Sequence, residues 1–321
     1  MKAIQIKAFG GPEVFEAVEA PDPAPGPGQL LVRVLATSVN PVDYKIRHAG
    51  SWAQVKPPAI IGYDAAGTVE ALGPGVAGFS KGDPVFYTPR IFGRQGTYAE
   101  LHVVDADIVA PKPPNLTYLE AASLPLAGCT AWDAIVRLAQ VRPGEDVLVH
   151  AGAGGVGSIA VQLAHAAGAR VLATAKAANH ALVRGLGADE VVDYTAEDFA
   201  KAAVRFTRGK GLDVAFDTVG GDLLSRTVPA MKPYGRMTGC VSCTGDLSGA
   251  VGKNLTVHFE FLERAKVKID ALAALAERGQ VRAVIDAVLP LDRVADAHRK
   301  IEAGGMRGKL VLEVAKGADR R

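Results

Sequence analysis

The chain has 321 residues, 49% hydrophobic and 22% charged, with a net charge of +2. That length exceeds one ordinary core and predicts two domains of a globular protein, and the near-neutral charge offers no footing for nucleic acid or an acidic membrane as partner. No apolar run reaches the ~18 residues of a membrane span, and the alternating start Met1–Lys7 lacks the apolar centre of a signal peptide. Residues 1–124 are rich in proline, glycine and short β-like runs. Leu30–Val34 and Gly67–Leu72 alternate apolar and polar, and turn signals such as Gly73-Pro74-Gly75 and Lys81-Gly82-Asp83-Pro84 punctuate them. A mostly β domain is expected there. From residue 125 short apolar strands alternate with segments about as long as crossover helices. Strands are expected at Val147–Val149, Val171–Thr174, Glu190–Asp193, Asp213–Phe216, Arg236–Val241 and Leu255–Phe259. This alternation predicts a parallel, doubly wound sheet. The tail predicts helices near Ile269–Glu277 and Leu291–Ile301 and a last strand in Gly308–Val314.

The most informative stretch runs from Val147 to Gly157. An apolar strand leads into Gly152, Gly154 and Gly157, spaced G-x-G-x-x-G, and Val156, Ile159, Ala160, Leu163 and Ala167 follow at helical spacing. Strand, tight turn and helix in that order bring backbone N–H groups to the positive end of a helix dipole, where a pyrophosphate binds. A dinucleotide site is expected.

Which dinucleotide depends on the end of the second strand. A fold that prefers NAD places an acid there to accept hydrogen bonds from the ribose 2′-hydroxyl. Here the strand end reads Thr174-Ala175-Lys176, and the nearest acid is expected to be Asp189, at the start of the next strand. Thr174 and Lys176 suit a 2′-phosphate, so NADPH is the expected cofactor.

With these pieces in place the chain resembles the zinc-free medium-chain dehydrogenase/reductases, in particular quinone oxidoreductases of the zeta-crystallin type. The likeness runs nearly end to end, through Phe9–Val14, Ser38–Asp43, Gly62–Gly67, Leu126–Ala131, the glycine turn, Phe216–Gly220 and Gly308–Leu312. It implies an α/β architecture in which a Rossmann doubly wound parallel sheet is inserted in a GroES-like β domain. The catalytic domain would comprise residues 1–124 and 265–321, and the NADPH-binding domain residues 125–264. The resemblance also implies a homodimer. Residue by residue, it implies that Gly155 and Val156 contact the pyrophosphate and that Tyr194 with Thr174, Ala175 and Lys176 flanks the adenosine phosphate. Val219, Val241 and Ser242 would line the nicotinamide ribose, with Asn40, Asp43 and Thr130 near nicotinamide and substrate. Relatives often carry a lysine where this chain has Asn179, in a loop shorter here by one residue; Lys176 and Arg184 are the alternative cations.

Zinc-dependent relatives bind their catalytic metal through a cysteine, a Gly-His-Glu segment and a further cysteine or aspartate. This chain has Asn40 at the first position and Gly62-Tyr63-Asp64 at the second, and no cysteine precedes Cys129. Converging thiolate and imidazole ligands are missing, so no metal site is expected. Without a Lewis acid, alcohol oxidation is disfavoured. A quinone or an α,β-unsaturated carbonyl accepts hydride at carbon with delocalised charge, and the protein has mainly to orient the reactants and exclude water. The proton would come from Tyr44, Tyr63 or bulk water.

An NADPH-dependent quinone reductase is therefore the leading expectation. An enone or alkenal double-bond reductase is the runner-up, and a non-catalytic NADPH-binding protein the reading from another class. The absence of a basic stripe counts against an RNA-binding role. Several residues take a structural reading: His150 as a hydrogen-bonded turn residue, Cys240 and Cys243 as an unpaired C-x-x-C, and Arg33, Lys45 and Arg47 as surface charges. Phe259 and Phe261 would wall an aromatic acceptor or pack a dimer seam. Three cysteines fit a reducing compartment, so a cytoplasmic location is expected.

Overall fold

The strand Gln29–Val39 is far longer than its five-residue alternating pattern predicts, and it is the centre of a seven-stranded sheet. Ala65–Leu72, Leu101–Asp105 and Lys309–Glu313 all pair with it antiparallel. Covered in this way, Leu30, Leu31, Val32, Val34 and Leu35 are all buried. Gly67 has to be glycine, because a Cβ there would stand 2.0 Å from the Arg33 carbonyl oxygen on the neighbouring strand. A three-stranded sheet, in the order Phe15–Glu19, Lys2–Ile6, Ala59–Ile60, completes the β structure of this part. The computed structural model describes all 321 residues, Met1–Arg321. They fall into two units: Met1–Leu126 with Arg264–Gly279 and Ala283–Arg321, and Ala127–Glu263 with Gln280–Arg282.

Two elements of the β-rich unit escape the sequence pattern. Pro41–Ala49 is a helix inside a region read as mostly β. Its start carries the ordinary signals, with Asn40 as N-cap, proline in the first turn and Asp43 at the third position, where its Oδ2 accepts the Asn40 N–H at 2.9 Å. Ile285–Pro290 is a strand that pairs parallel with Lys309–Glu313.

In the second unit the alternation of strand and helix yields β1 (Asp146–Val149), α1 (Gly155–Ala166), β2 (Arg170–Thr174), α2 (His180–Gly185), β3 (Glu190–Val192) and α3 (Phe199–Phe206). They are followed by β4 (Leu212–Asp217), α4 (Leu223–Thr227), β5 (Met231–Gly239) and β6 (Thr256–Phe259). The six strands are all parallel, in the order β3-β2-β1-β4-β5-β6. This is the doubly wound arrangement of a Rossmann sheet. Val147, Leu148 and Val149 are all 0% exposed, so β1 is covered on both faces, as an all-parallel sheet requires. The order reverses between β1 and β4, and ligands of such sheets bind at that switch point, beyond the carboxyl ends of the strands. No helix of the chain is long and apolar enough to cross a membrane.

Candidate functional site

The glycine turn leaves the carboxyl end of β1 at the switch point. It is tied to both neighbours: His150 N–H donates to Phe216 O on β4 at 2.9 Å, and Gly152 N–H donates to Thr174 O on β2 at 2.9 Å. Ala151 between them has φ +52°, a left-handed conformation costly for a residue with a side chain. Gly154 caps α1 in an extended conformation, and the first turn of α1 holds no acidic side chain. The leading N–H groups of the twelve-residue helix therefore keep their donors and their dipole for an anion. A Cβ on Gly157 would lie 2.2 Å from the Ala151 carbonyl oxygen, and one on Gly152 would lie 2.9 Å from the Ala173 Cβ. Gly157→Ala must push the turn open. Dinucleotide affinity should fall by about a hundredfold or more, on the order of 3 kcal/mol for misplaced phosphate donors, while the far-ultraviolet circular dichroism stays native. Retained affinity in calorimetric titration would disprove that role of the turn.

Beside the turn, at the carboxyl ends of β1 to β4, lies a pocket of about 510 Å³ lined by His150, Ala151, Thr174, Tyr194, Thr195, Ala196, Glu197, Asp198, Phe199, Val219, Leu223 and Arg226. His150 is buried and its Nε2–H donates to Thr227 Oγ1 at 3.1 Å. Thr227 Oγ1 in turn donates to Leu223 O, and burial holds the imidazole down to a pKa of about 3. It is a neutral structural group. The Arg226 guanidinium lies 5.3 Å over the Phe199 ring, a cation–π pair on the pocket wall. Thr174 Oγ1 accepts the Ala151 N–H at 3.0 Å; its hydroxyl serves the turn and keeps its own proton to donate outward. Ala175 is buried, Asn179 is half-buried, and Lys176, two residues past Thr174, is exposed.

The acid nearest this strand end is not Asp189. Asp189 Oδ2 accepts the Val171 N–H, near the opposite end of β2. Asp193, just past β3, reaches the loop after β2: its Oδ2 accepts the Ala177 N–H at 3.1 Å, and its Oδ1 accepts Thr195 N–H at 2.9 Å and Thr195 Oγ1–H at 2.6 Å. The order β3-β2 carries the signal for this approach, because adjacent strands end side by side.

At the far end of the switch point, Asp217 Oδ1 accepts the Val219 and Gly220 N–H groups at 2.7 and 3.1 Å and shapes the loop after β4. Val219 is 56% exposed. Gly221 N–H donates to Ser242 O at 3.0 Å, which brings the Val241–Ser242 loop beside it. Cys240 Sγ and Cys243 Sγ face different carbonyls, Asp217 O at 3.8 Å and Gly245 O at 3.7 Å. Thr130 sits buried on the helix Pro125–Trp132, before β1. The turn glycines with Thr174, Lys176, Tyr194, Val219, Val241 and Ser242 thus share one edge of the sheet.

In the β-rich unit Asn40, Asp43 and Tyr63 belong to a buried polar cluster. Asp64, 0% exposed, accepts from Leu126 N–H (2.7 Å), Ser38 Oγ–H (2.6 Å) and Asn40 Nδ2–H (2.8 Å). The Lys309 ammonium completes the shell, 3.3 Å from Asp64 Oδ2, donating also to Val39 O and to Asn40 Oδ1. Asn40 therefore spends its amide on Asp64 and Lys309. Asp43 is buried too, and desolvation raises its carboxyl to a pKa of about 7. Its Oδ2 accepts from Asn40 N–H and Tyr98 Oη–H (2.8 Å), whereas its Oδ1 and the Tyr63 hydroxyl find no hydrogen-bond partner. Burial lifts Tyr63 well above the usual phenol range and lifts half-buried Tyr44 as well.

Arg47 is not a surface charge. It is 0% exposed, donating to His298 Nδ1 at 2.9 Å, to Glu302 at 2.8 and 2.9 Å, and to Gly10 O. A guanidinium can only donate, so His298 accepts at Nδ1 and carries its proton on Nε2, which points to Tyr98 Oη at 3.1 Å. The chain of donors Arg47, His298, Tyr98 ends on Asp43. No local signal announces this cluster, because His298 lies 251 residues from Arg47.

Comparison with known proteins places this geometry. Residues 26–114 match the model of the alcohol dehydrogenase GroES-like domain, and residues 186–312 match that of the zinc-binding dehydrogenases. A quinone oxidoreductase of Pseudomonas aeruginosa is 32% identical over 97% of this chain and 99% of its own. A 2-methylene-furan-3-one reductase of Solanum lycopersicum is 35% identical over 97% of this chain and 79% of its own. Among solved structures, an NAD-dependent alcohol dehydrogenase superposes with a TM-score of 0.92 at 34% identity, covering 98% of this chain and all of that one. A mycobacterial protein in complex with NADPH superposes with a TM-score of 0.88 at 31% identity, again over 98% and 100%.

Proposed function

Because the chain belongs to the quinone oxidoreductases of the medium-chain dehydrogenase/reductase family, we propose that it is a reductase that passes hydride from NADPH to a quinone without zinc. The observation that carries this reading is the glycine turn at the switch point, with free helix N–H donors, no first-turn acid and an adjoining pocket. The residues present fit a dinucleotide. Gly152, Gly154 and Gly157 leave room for a pyrophosphate; Gly155 and Val156 offer backbone donors to it; Thr174, Ala175, Lys176, Asn179 and Tyr194 surround the adenosine end; Val219, Val241, Ser242 and Thr130 serve the nicotinamide end. Bound there, the reduced nicotinamide supplies a hydride.

A zinc-free site is supported by the donor set. Where zinc relatives place soft ligands, this chain has a phenol, an amide and a carboxylate already surrounded by donors. The Lys309 ammonium stands against the last two as an internal cation, and such a shell offers little to zinc. With no Lewis acid the acceptor has to be electrophilic already, which selects quinones and enones over simple ketones. Tyr44 and Tyr63 are both pushed up from the ordinary phenol pKa, so neither is tuned as an acid near neutral pH; water is assigned the proton. A second reading, reduction of an enone double bond, is favoured by the likeness to the Solanum enzyme.

The test is NADPH oxidation followed against quinones, enones and simple ketones, with zinc measured in the same sample. Quinone turnover at substoichiometric zinc is expected. Turnover of enones alone would transfer the conclusion to the second reading, activity with no acceptor would favour a non-catalytic binding protein, and stoichiometric zinc would overturn the metal-free site.

A further inference from the structure

We propose that Asp193 is a specificity-determining residue for the dinucleotide, its carboxylate opposing a 2′-phosphate beside Lys176, so that the protein uses NADH as well as NADPH. This inference rests on the dinucleotide reading of the glycine turn and sharpens it. Dehydrogenases that prefer the unphosphorylated cofactor hold an acid at the end of the second strand, where it accepts the ribose 2′-hydroxyl. β2 of this chain supplies none, since it closes on Thr174-Ala175-Lys176. The neighbouring strand makes up for it. In the parallel pairing Thr174 stands opposite Val192, which puts Asp193 level with Ala175, one residue beyond the strand end.

The carboxylate is fixed there. Oδ2 takes the Ala177 N–H, three residues past Thr174, and Oδ1 takes both the backbone and the hydroxyl of Thr195. Those donors hold its pKa below the ordinary carboxylate value, so the group is an anion at neutral pH. Thr195 and Tyr194, on the same turn, line the pocket next to Thr174. The two acids that line the pocket are committed elsewhere: Glu197 pairs with Arg205, and Asp198 caps α3 through the Ala200 N–H. Lys176 has no ion pair with any acid and remains exposed. One cation and one fixed anion thus share the strand end, and selection between phosphate and hydroxyl follows from their opposition. A dianionic phosphate gains from Lys176 and loses to Asp193; a hydroxyl has no charge to repel and can donate to the carboxylate.

Adenosine fragments test this without turnover. Calorimetric titration of the intact protein with 2′,5′-ADP and with 5′-ADP gives an affinity ratio, and the kcat/KM ratio for NADPH over NADH follows it. Asp193→Asn keeps an oxygen for the two Thr195 donors and deletes the charge, giving up the Ala177 N–H contact. Both ratios should rise on the order of tenfold, the effect of one unit charge a few ångströms away at a partly screened surface. Asp193→Glu retains the charge and should leave the ratios near those of the wild type, and Lys176→Ala should lower them. An unchanged or lower ratio in Asp193→Asn overturns the proposal, as does an equal rise in Asp193→Glu, which would trace the effect to the loop rather than to charge. If the wild type binds neither fragment, the dinucleotide site itself fails and this inference falls with it; binding of both with no response to Asp193→Asn removes this inference alone.

Discussion

Lys309→Met should destabilise the β-rich unit by about 3–5 kcal/mol, the usual cost of breaking a buried ion pair from one side. Methionine fills most of the lysine's volume, so little of the loss comes from a cavity. What remains is the Asp64 carboxylate, 0% exposed, with three neutral donors and no cation. Urea unfolding at neutral pH measures the loss. Adding Asp64→Asn to the variant should restore most of it. The introduced amide still accepts from Leu126 N–H, and Asn40, released by Lys309, can turn its Oδ1 to accept from the new amide N–H. A coupling of about 2 kcal/mol or more between the two substitutions is expected for groups in direct contact. If Lys309→Met alone costs less than about 1 kcal/mol, typical of an exposed pair, the ammonium is not an internal cation.

The same cluster shows where local signals stop. The glycine turn, the six parallel strands and the acid-free strand end Thr174-Ala175-Lys176 are legible because their signals are local. Apolar runs, glycine spacing and loop position lie within a few residues of one another. Lys309 was visible only as one letter of Gly308-Lys309-Leu310-Val311-Leu312. Its meaning comes from the pairing of Lys309–Glu313 with Gln29–Val39, which sets the ammonium against Val39 and Asn40 from 270 residues away. Arg47 reads as a surface charge for the same reason. A lone arginine on an unrecognised helix reads as solvated, and its burial depends on Glu302 and His298, which the chain brings back only near its end.

The acid nearest the second strand end escapes the sequence for a different reason. Asp189 is the nearer in sequence, but the sheet joins two strands side by side. Asp193 stands in the segment expected as the third strand, and the order β3-β2-β1-β4 puts that strand next to the second. Register rather than sequence distance decides which charge approaches the strand end. The helix Pro41–Ala49 was likewise announced by Asn40-Pro41-Val42-Asp43, a capping pattern that the surrounding β-like texture outweighed.

Acidification should unfold this protein already at the upper edge of the usual carboxylate range, at about pH 4.5, because three imidazoles are buried neutral. His102, His150 and His298 are 2%, 1% and 0% exposed, with pKa values held down to about 4, 3 and 3. Desolvation is the main cause in each, and the Arg47 charge adds to it at His298. Each group takes up its proton more readily in the unfolded chain, so its stabilising contribution is present above about pH 6.5 and is lost as pH falls toward the folded value. Asp43 works in the opposite sense. Its raised pKa of about 7 favours the fold below the unfolded carboxylate value and withdraws that support as pH rises toward 7. Between about pH 7 and 4.5 each histidine should cost roughly 2–3 kcal/mol and Asp43 should return about as much as one of them. The net loss is comparable to the whole stability of an ordinary domain. His298→Gln isolates one imidazole, since glutamine can accept from Arg47 through Oε1 and donate to Tyr98 through Nε2. Urea midpoints measured across this pH range should fall less steeply for the variant, by the slope of about one proton, ~1.36 kcal/mol per pH unit. An unaltered slope would mean that His298 takes a proton in the folded state, which the Arg47 donor at its Nδ1 forbids.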